Sequence, residues 1–113
     1  MADRGDILLL KSRLGFGESA DGPRVVVVQS TPLNAILPTT VVVPLDASAP
    51  PGHAHPLLVT VSAAEAGTAA DQVAYPTHLR VIPTDRFAPG RVGALKPRTL
   101  AELDERIRMV LDL

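Results

Sequence analysis

His53, His55 and His78 are the three side chains of this sequence able to change charge near neutral pH, and no cysteine accompanies them. Thiolate nucleophiles, thiolate metal sites and disulfides are therefore excluded. His53 and His55 form an H-x-H pair in a loop rich in Pro and Gly, with no carboxylate or third His nearby in sequence. No metal site is expected from them. His78 is placed two residues before Arg80 and can serve as acid or base. Arg24 heads a run of valines, and its planar guanidinium can bond two oxygens of one oxyanion. Asp46 opens a polar loop that also holds Ser48, and Glu18 lies in a glycine-rich stretch. Proton transfer and oxyanion binding are the chemistries these residues offer, with no metal or cofactor expected. Tyr75, a lone Tyr beside an apolar strand, is expected in the core rather than as a stacking platform.

The elements that must carry these groups are short. Ile7–Leu10 reads as a first strand and residues 13–23 as a loop. Arg24–Gln29 reads as a second strand, its β-branched run resisting helix, and its lack of alternation implies burial on both faces. A turn spans Thr31 to Pro38, Thr40–Val43 is a strand ending at Pro44, and residues 47–56 form an exposed loop. Leu57–Val61 is the next strand, and residues 62–70 suit a helical turn or a loop. Gln72–Tyr75 and Leu79–Ile82 are two further strands separated by Pro76. Thr99 and Glu102 have capping-box spacing. Leu100, Leu103, Ile107, Val110 and Leu111 then share one helical face, with the charged residues opposite. Six short strands and one terminal amphipathic helix predict a single domain over residues 1–113, mainly β, built as a small antiparallel barrel with the helix packed on it.

Composition narrows the function. Of the 113 residues 46% are hydrophobic, ample for one core, but only 3% are aromatic, which argues against single-strand binders that rely on stacking. The formal charge of -1 means that any nucleic acid must be held by a local arginine patch. The N-terminus is polar and no stretch approaches the roughly 20 apolar residues of a membrane span, so a soluble, cytoplasmic protein is expected.

Several words of the sequence, in order, resemble the MazF/PemK toxins. They are Arg4-Gly5-Asp6-Ile7, Val25-Val26-Val27-Val28-Gln29-Ser30 with Asn34 after it, and Val41-Val42-Val43-Pro44-Leu45. Asp71-Gln72-Val73 with Leu79-Arg80-Val81-Ile82, then Gly90-Arg91-Val92-Gly93, and the ending Val110-Leu111-Asp112-Leu113 complete the set. The resemblance spans nearly the whole chain. It implies an SH3-like barrel, a homodimer, and metal-independent cleavage of single-stranded RNA (mRNA) at specific sequences through the RNA's own 2′-hydroxyl. It also implies inhibition by a MazE-like antitoxin.

Carried onto this sequence, the resemblance makes Arg24, Asp46, His78 and Glu18 the candidate catalytic residues, with Arg80, Ser48 and Thr77 as RNA-binding candidates. Three places depart from the family pattern. Its Arg-Pro before the valine strand is reversed here as Pro23-Arg24, its Thr after the Val-Pro-Leu strand is Asp46, and its Asp-Gln before the last strand is Thr77-His78. A one-residue slip on a strand turns a side chain to the opposite face. The alternative readings are a catalytically altered relative that acts as an antitoxin-binding or regulatory partner, and a gyrase-poison-like inhibitor resembling CcdB. The second lacks the C-terminal aromatic and small residues by which CcdB-like proteins grip gyrase.

Overall fold

A computed structural model of the chain describes residues 2–11, 23–47 and 57–113. Valine-rich strands build its centre. β1 (Asp6–Leu9) pairs antiparallel with β2 (Arg24–Val27), and β2 pairs antiparallel with β3 (Thr39–Asp46). Val25, Val26, Val27, Val42 and Val43 are all fully buried, so both faces of the central strands are covered, as their unbroken β-branched pattern implies. On one face Val26, Val43 and Leu45 join Ile7, Val59, Val61 and Leu103. On the other, Val25, Val27 and Val42 pack with Leu8, Leu10 and Ile82.

The far edge of β3 is shared. β4 (Val59–Val61) and β5 (Gln72–Ala74) form a hairpin whose second strand meets Leu45 and Asp46, while β6 (Arg80–Pro83) meets Thr39–Val42. Between β5 and β6 the chain leaves the ladder in a 3-10 turn, Pro76–His78. Pro44 accounts for the gap. The strand was expected to end there, yet β3 continues through it to Asp46. Val28 N–H donates to Val41 O on the β2 side, so the alternation of the ladder turns the nitrogen of Pro44 toward the opposite edge, where it has no hydrogen to give. The β5–β6 chain bends away at that point, after Tyr75 N–H has donated to Pro44 O at 3.1 Å.

β7 (Gly93–Ala94) adds to the other edge of β1. Before it, Phe87 bridges Leu10, and the sheet curls into a half-barrel. This seventh strand escapes a pattern search because it is two residues long and starts with glycine. That glycine is required by packing: a Cβ on Gly93 would meet Glu65 O at 2.0 Å.

The segment expected as a turn from Thr31 holds a short helix, α1 (Thr31–Asn34). Asn34 is buried beside it, its amide donating to Ala2 O and Gln29 O while its Oδ1 accepts from Gln29 and Thr40. The stretch after β4 forms α2 (Ala63–Ala66) under a capping box made by Ser62 and Glu65. The terminal helix, α3 (Pro97–Leu111), starts earlier than expected, with Lys96 as its N-cap and Pro97 in its first turn. Thr99 and Glu102 therefore form no capping box. The Thr99 hydroxyl bonds Glu65 instead. Leu103 is buried, and Leu100 and Ile107 pack against the same core, but Leu111 is 48% exposed because the helix outruns the sheet beneath it. Arg4 clamps the helix from the other side, its guanidinium bonding both oxygens of Asp104 and its Nε donating to Val28 O.

Glu65 thus caps two helices with one buried carboxylate. It accepts from Ser62 N–H (3.2 Å), the Ser62 hydroxyl (2.9 Å) and Lys96 N–H (2.9 Å). Burial works to raise its pKa, but the hydrogen bonds from Lys96, Thr99 and Ser62 outweigh that and hold it below the ordinary value. A carboxyl with a depressed folded pKa contributes stability that is complete above its unfolded pKa and is lost as pH falls through the folded one. Glu65→Gln is expected to cost about 1–3 kcal/mol at neutral pH. It should also flatten the acid limb of a urea-denaturation series taken downward from about pH 4.5, the ordinary value of this group.

Candidate functional site

Register decides which candidate residues meet. Arg24 begins β2 with its Cα opposite Leu9 on one side and Leu45 on the other. Asp46, one residue beyond Leu45, has its Cα opposite Val73 of β5. By the two-residue period Arg24 shares a face with Leu45 and Ala74, whereas Asp46 shares the opposite face with Pro44 and Val42. With the order Pro23-Arg24, the arginine therefore lies on the face opposite Asp46. Arg24 is half-buried and its Nε is buried.

Asp46 is half-buried, and its Oδ1 accepts from Ala47 N–H at 2.7 Å. Its neighbours come from the end of β5. Tyr75 follows Ala74, whose Cα faces Leu45, so Tyr75 lies on the Asp46 face. The 3-10 turn brings His78 back over Tyr75, with His78 N–H donating to Tyr75 O at 2.9 Å. The two rings stack with centroids 5.5 Å apart and planes inclined by 21°. Burial and the negative charge of Asp46 both push the Tyr75 hydroxyl above its ordinary pKa. Asp46, Tyr75 and His78 form one group. Thr77 is exposed within the same turn. Arg80, exposed at the start of β6, is paired with Val42 and so belongs to the Asp46 face, farther along β3.

Other candidates fall elsewhere. Glu18, Ser48, His53 and His55 lie outside the described residues. Among the described residues no three His, Cys, Asp or Glu side chains converge as a metal-binding group. No helix of the described residues is long and apolar enough to cross a membrane. A cleft of about 680 Å³ opens away from the candidates, between the N-terminus and the segment before β7, lined by Ala2, Leu8, Phe87 and Arg91 among others.

Tyr75, expected in the core, is half-buried and in neither buried cluster. Its signal was present in the spacing: a tyrosine followed by proline and, three residues on, by histidine places both rings on one side of a tight turn.

Comparison with known proteins supplies independent findings. A family model described as the PemK-like, MazF-like toxin of type II toxin-antitoxin system matches residues 3–111. No curated protein sequence matches the chain. Among solved structures, an endoribonuclease in complex with its cognate antitoxin from a Mycobacterial species superimposes with a TM-score of 0.79 at 16% identity, covering 100% of this chain and 97% of that one. The Mycobacterium tuberculosis toxin MazF-mt6 gives 0.75 at 18% identity, covering 96% and 97%. A MazE-MazF structure from Deinococcus radiodurans gives 0.77 at 18% identity, covering 99% and 96%. At these identities the structures share the half-barrel and its C-terminal helix with this chain.

The placement of Asp46 beside Tyr75 can be tested directly, because the chain has a single tyrosine. Asp46→Asn should lower the tyrosinate midpoint in an ultraviolet pH titration while leaving it above 10.0, the ordinary value, since burial persists. An unchanged midpoint would separate the two side chains.

Proposed function

This chain belongs to the PemK-like, MazF-like toxin family of type II toxin–antitoxin systems, and from that premise we propose that it is an endoribonuclease cleaving single-stranded RNA in the cytoplasm. The observation that carries the reading is the grouping of Asp46, Tyr75 and His78 at the end of the sheet that also holds Arg24.

Metal-independent cleavage of RNA needs a base, an acid and a cation. Asp46, as carboxylate, takes the proton of the 2′-hydroxyl. The 2′-oxygen then bonds to phosphorus and the bond from phosphorus to the 5′-oxygen breaks. His78, as imidazolium, gives a proton to that departing oxygen, and a cyclic phosphate remains. Arg24, which starts on the opposite face, reaches round the end of the sheet to hold non-bridging oxygens through its planar fork. Glu18 orients Arg24 or shares the role of base, and Arg80, Thr77 and Ser48 contact the flanking RNA.

The partners follow from the same premise. A MazE-like antitoxin is the proposed inhibitor, supported by relatives solved with theirs. A homodimer is proposed on the edge formed by α1 and β6. Leu33, Ile36 and Val81 are exposed there, and among the described residues β6 pairs with β3 alone. An isologous pair would cover that apolar surface.

Purified protein incubated in EDTA with a long single-stranded RNA should yield discrete fragments ending in cyclic phosphate. His78→Ala and Asp46→Asn should each slow cleavage by about 10²–10⁴-fold, and Arg24→Ala by roughly 10²–10³-fold. RNA left intact across varied sequences would sink the nuclease and leave the reading in which the altered Pro23-Arg24 order marks a protein acting by binding. Ile36→Asp should turn a dimer into a monomer by analytical ultracentrifugation.

A further inference from the structure

Lys11 and Arg86 lie side by side beyond an isolated bridge that the mechanism above does not use. The Leu10–Phe87 bridge sets the register: Lys11 N–H donates to Arg86 O and Ala88 N–H to Leu9 O, both at 2.8 Å. Lys11 lies just beyond β1 and Arg86 ends a 3-10 turn (Thr84–Arg86), so the bridge brings their backbones side by side. Leu10 and Phe87 turn into one hydrophobic cluster, while Lys11 and Arg86 are both exposed. Two like charges held this close repel each other. Elsewhere the chain avoids such a cost, matching Arg4 with Asp104, Arg91 with Asp6, and Arg106 with Glu102 and Glu105. Among the described residues neither Lys11 nor Arg86 forms an ion pair.

Their position gives the pair a use. Leu9 is opposite Arg24, and Lys11 follows Leu9 by two residues at the same end of the sheet, about 7 Å on. A chain of formal charge -1 has to gather its cations locally to hold a polyanion. We propose that Lys11 and Arg86 form a phosphodiester-binding subsite for the backbone of single-stranded RNA, on the Arg24 side of the cleavage site. An RNA phosphate supplies the counter-charge that the pair lacks. Lys11 meets it as a compact point charge and Arg86 as a fork. The subsite rests on the RNA-binding part of the reading above, and not on cleavage itself.

Binding of a fully 2′-O-methylated oligonucleotide, which has no 2′-hydroxyl to attack with, separates the two. Fluorescence anisotropy over a salt series would compare the wild type with the double variant Lys11→Gln, Arg86→Gln. Each phosphate contact on a single strand adds about 0.7 to the slope of log affinity against log salt, so the variant, which loses one shared phosphate, should lose about 0.7 of slope and bind roughly 5-fold more weakly at about 0.1 M salt. With cleavable RNA its KM should rise more than its kcat falls. The variant should melt no lower than the wild type at low salt, because a repulsion has been removed. Lys11→Glu, which puts an opposite charge beside Arg86, should melt higher than the wild type and bind RNA more weakly. A slope and affinity equal to wild type overturn the subsite while leaving cleavage intact. A reduced slope with RNA that is never cut upholds the subsite and removes the nuclease. Wild-type protein that binds no oligonucleotide overturns the subsite.

Discussion

The register of β2 on β3 is the constraint on which the site depends. Val25, Val26 and Val27 face Pro44, Val43 and Val42, and these strands have no solvent-facing side in their centres. Shifting the ladder by one residue would draw Arg24 inward and misplace every pair along it. Given that register, side-chain alternation leaves no choice: Arg24 goes to the face of Leu45, and Asp46 to the face of Pro44 and Val42. Strand chemistry thus sets the electrostatics of the sheet end before any substrate arrives.

Proline makes the second decision. A residue that donates nothing inside β3 opens a gap between β5 and β6, and the chain fills that gap with a tight turn. The turn is what folds His78 onto Tyr75 beside Asp46. In a protein with so few aromatic side chains, one stacked pair held by a proline-started turn loses little further freedom on binding. Packing of this turn against α3 links the site to the clamp that Glu65 and Arg4 place on the helix.

Charge is distributed by the same economy. Most carboxylates near arginines serve the scaffold: Asp6 holds Arg91, Asp104 holds Arg4, and the two Glu of α3 hold Arg106. Exposed pairs of this kind contribute little to stability, generally below about 1 kcal/mol. Outside those pairs Lys11 and Arg86 carry positive charge at the end shared by β1 and the segment after β6, while Lys96, Arg98 and Arg108 carry it along α3. Near-neutrality overall is compatible with such local positive charge.

Local sequence already determined most of the scaffold. Valine runs can only be buried strands, a 3.6-residue apolar period at the C-terminus can only be an amphipathic helix, and the ordered motifs point to one toxin family. Arg24, Asp46 and His78 were legible as chemistry because their residue types carry it. Tertiary structure alone decided the rest. Thr99 looked like a cap for its own helix, yet it bonds Glu65 from a distant turn, because a buried carboxylate takes whichever donors packing brings to it. Pro44 looked like a strand end because proline breaks a ladder, and it is tolerated where the neighbouring chain asks nothing of it. Tyr75 looked like core until its turn closed over Asp46. The pairing of Lys11 with Arg86 has no trace in either neighbourhood of the sequence. Periodicity is a property of neighbours along the chain, whereas the partner across a ladder is chosen by the burial of the whole sheet.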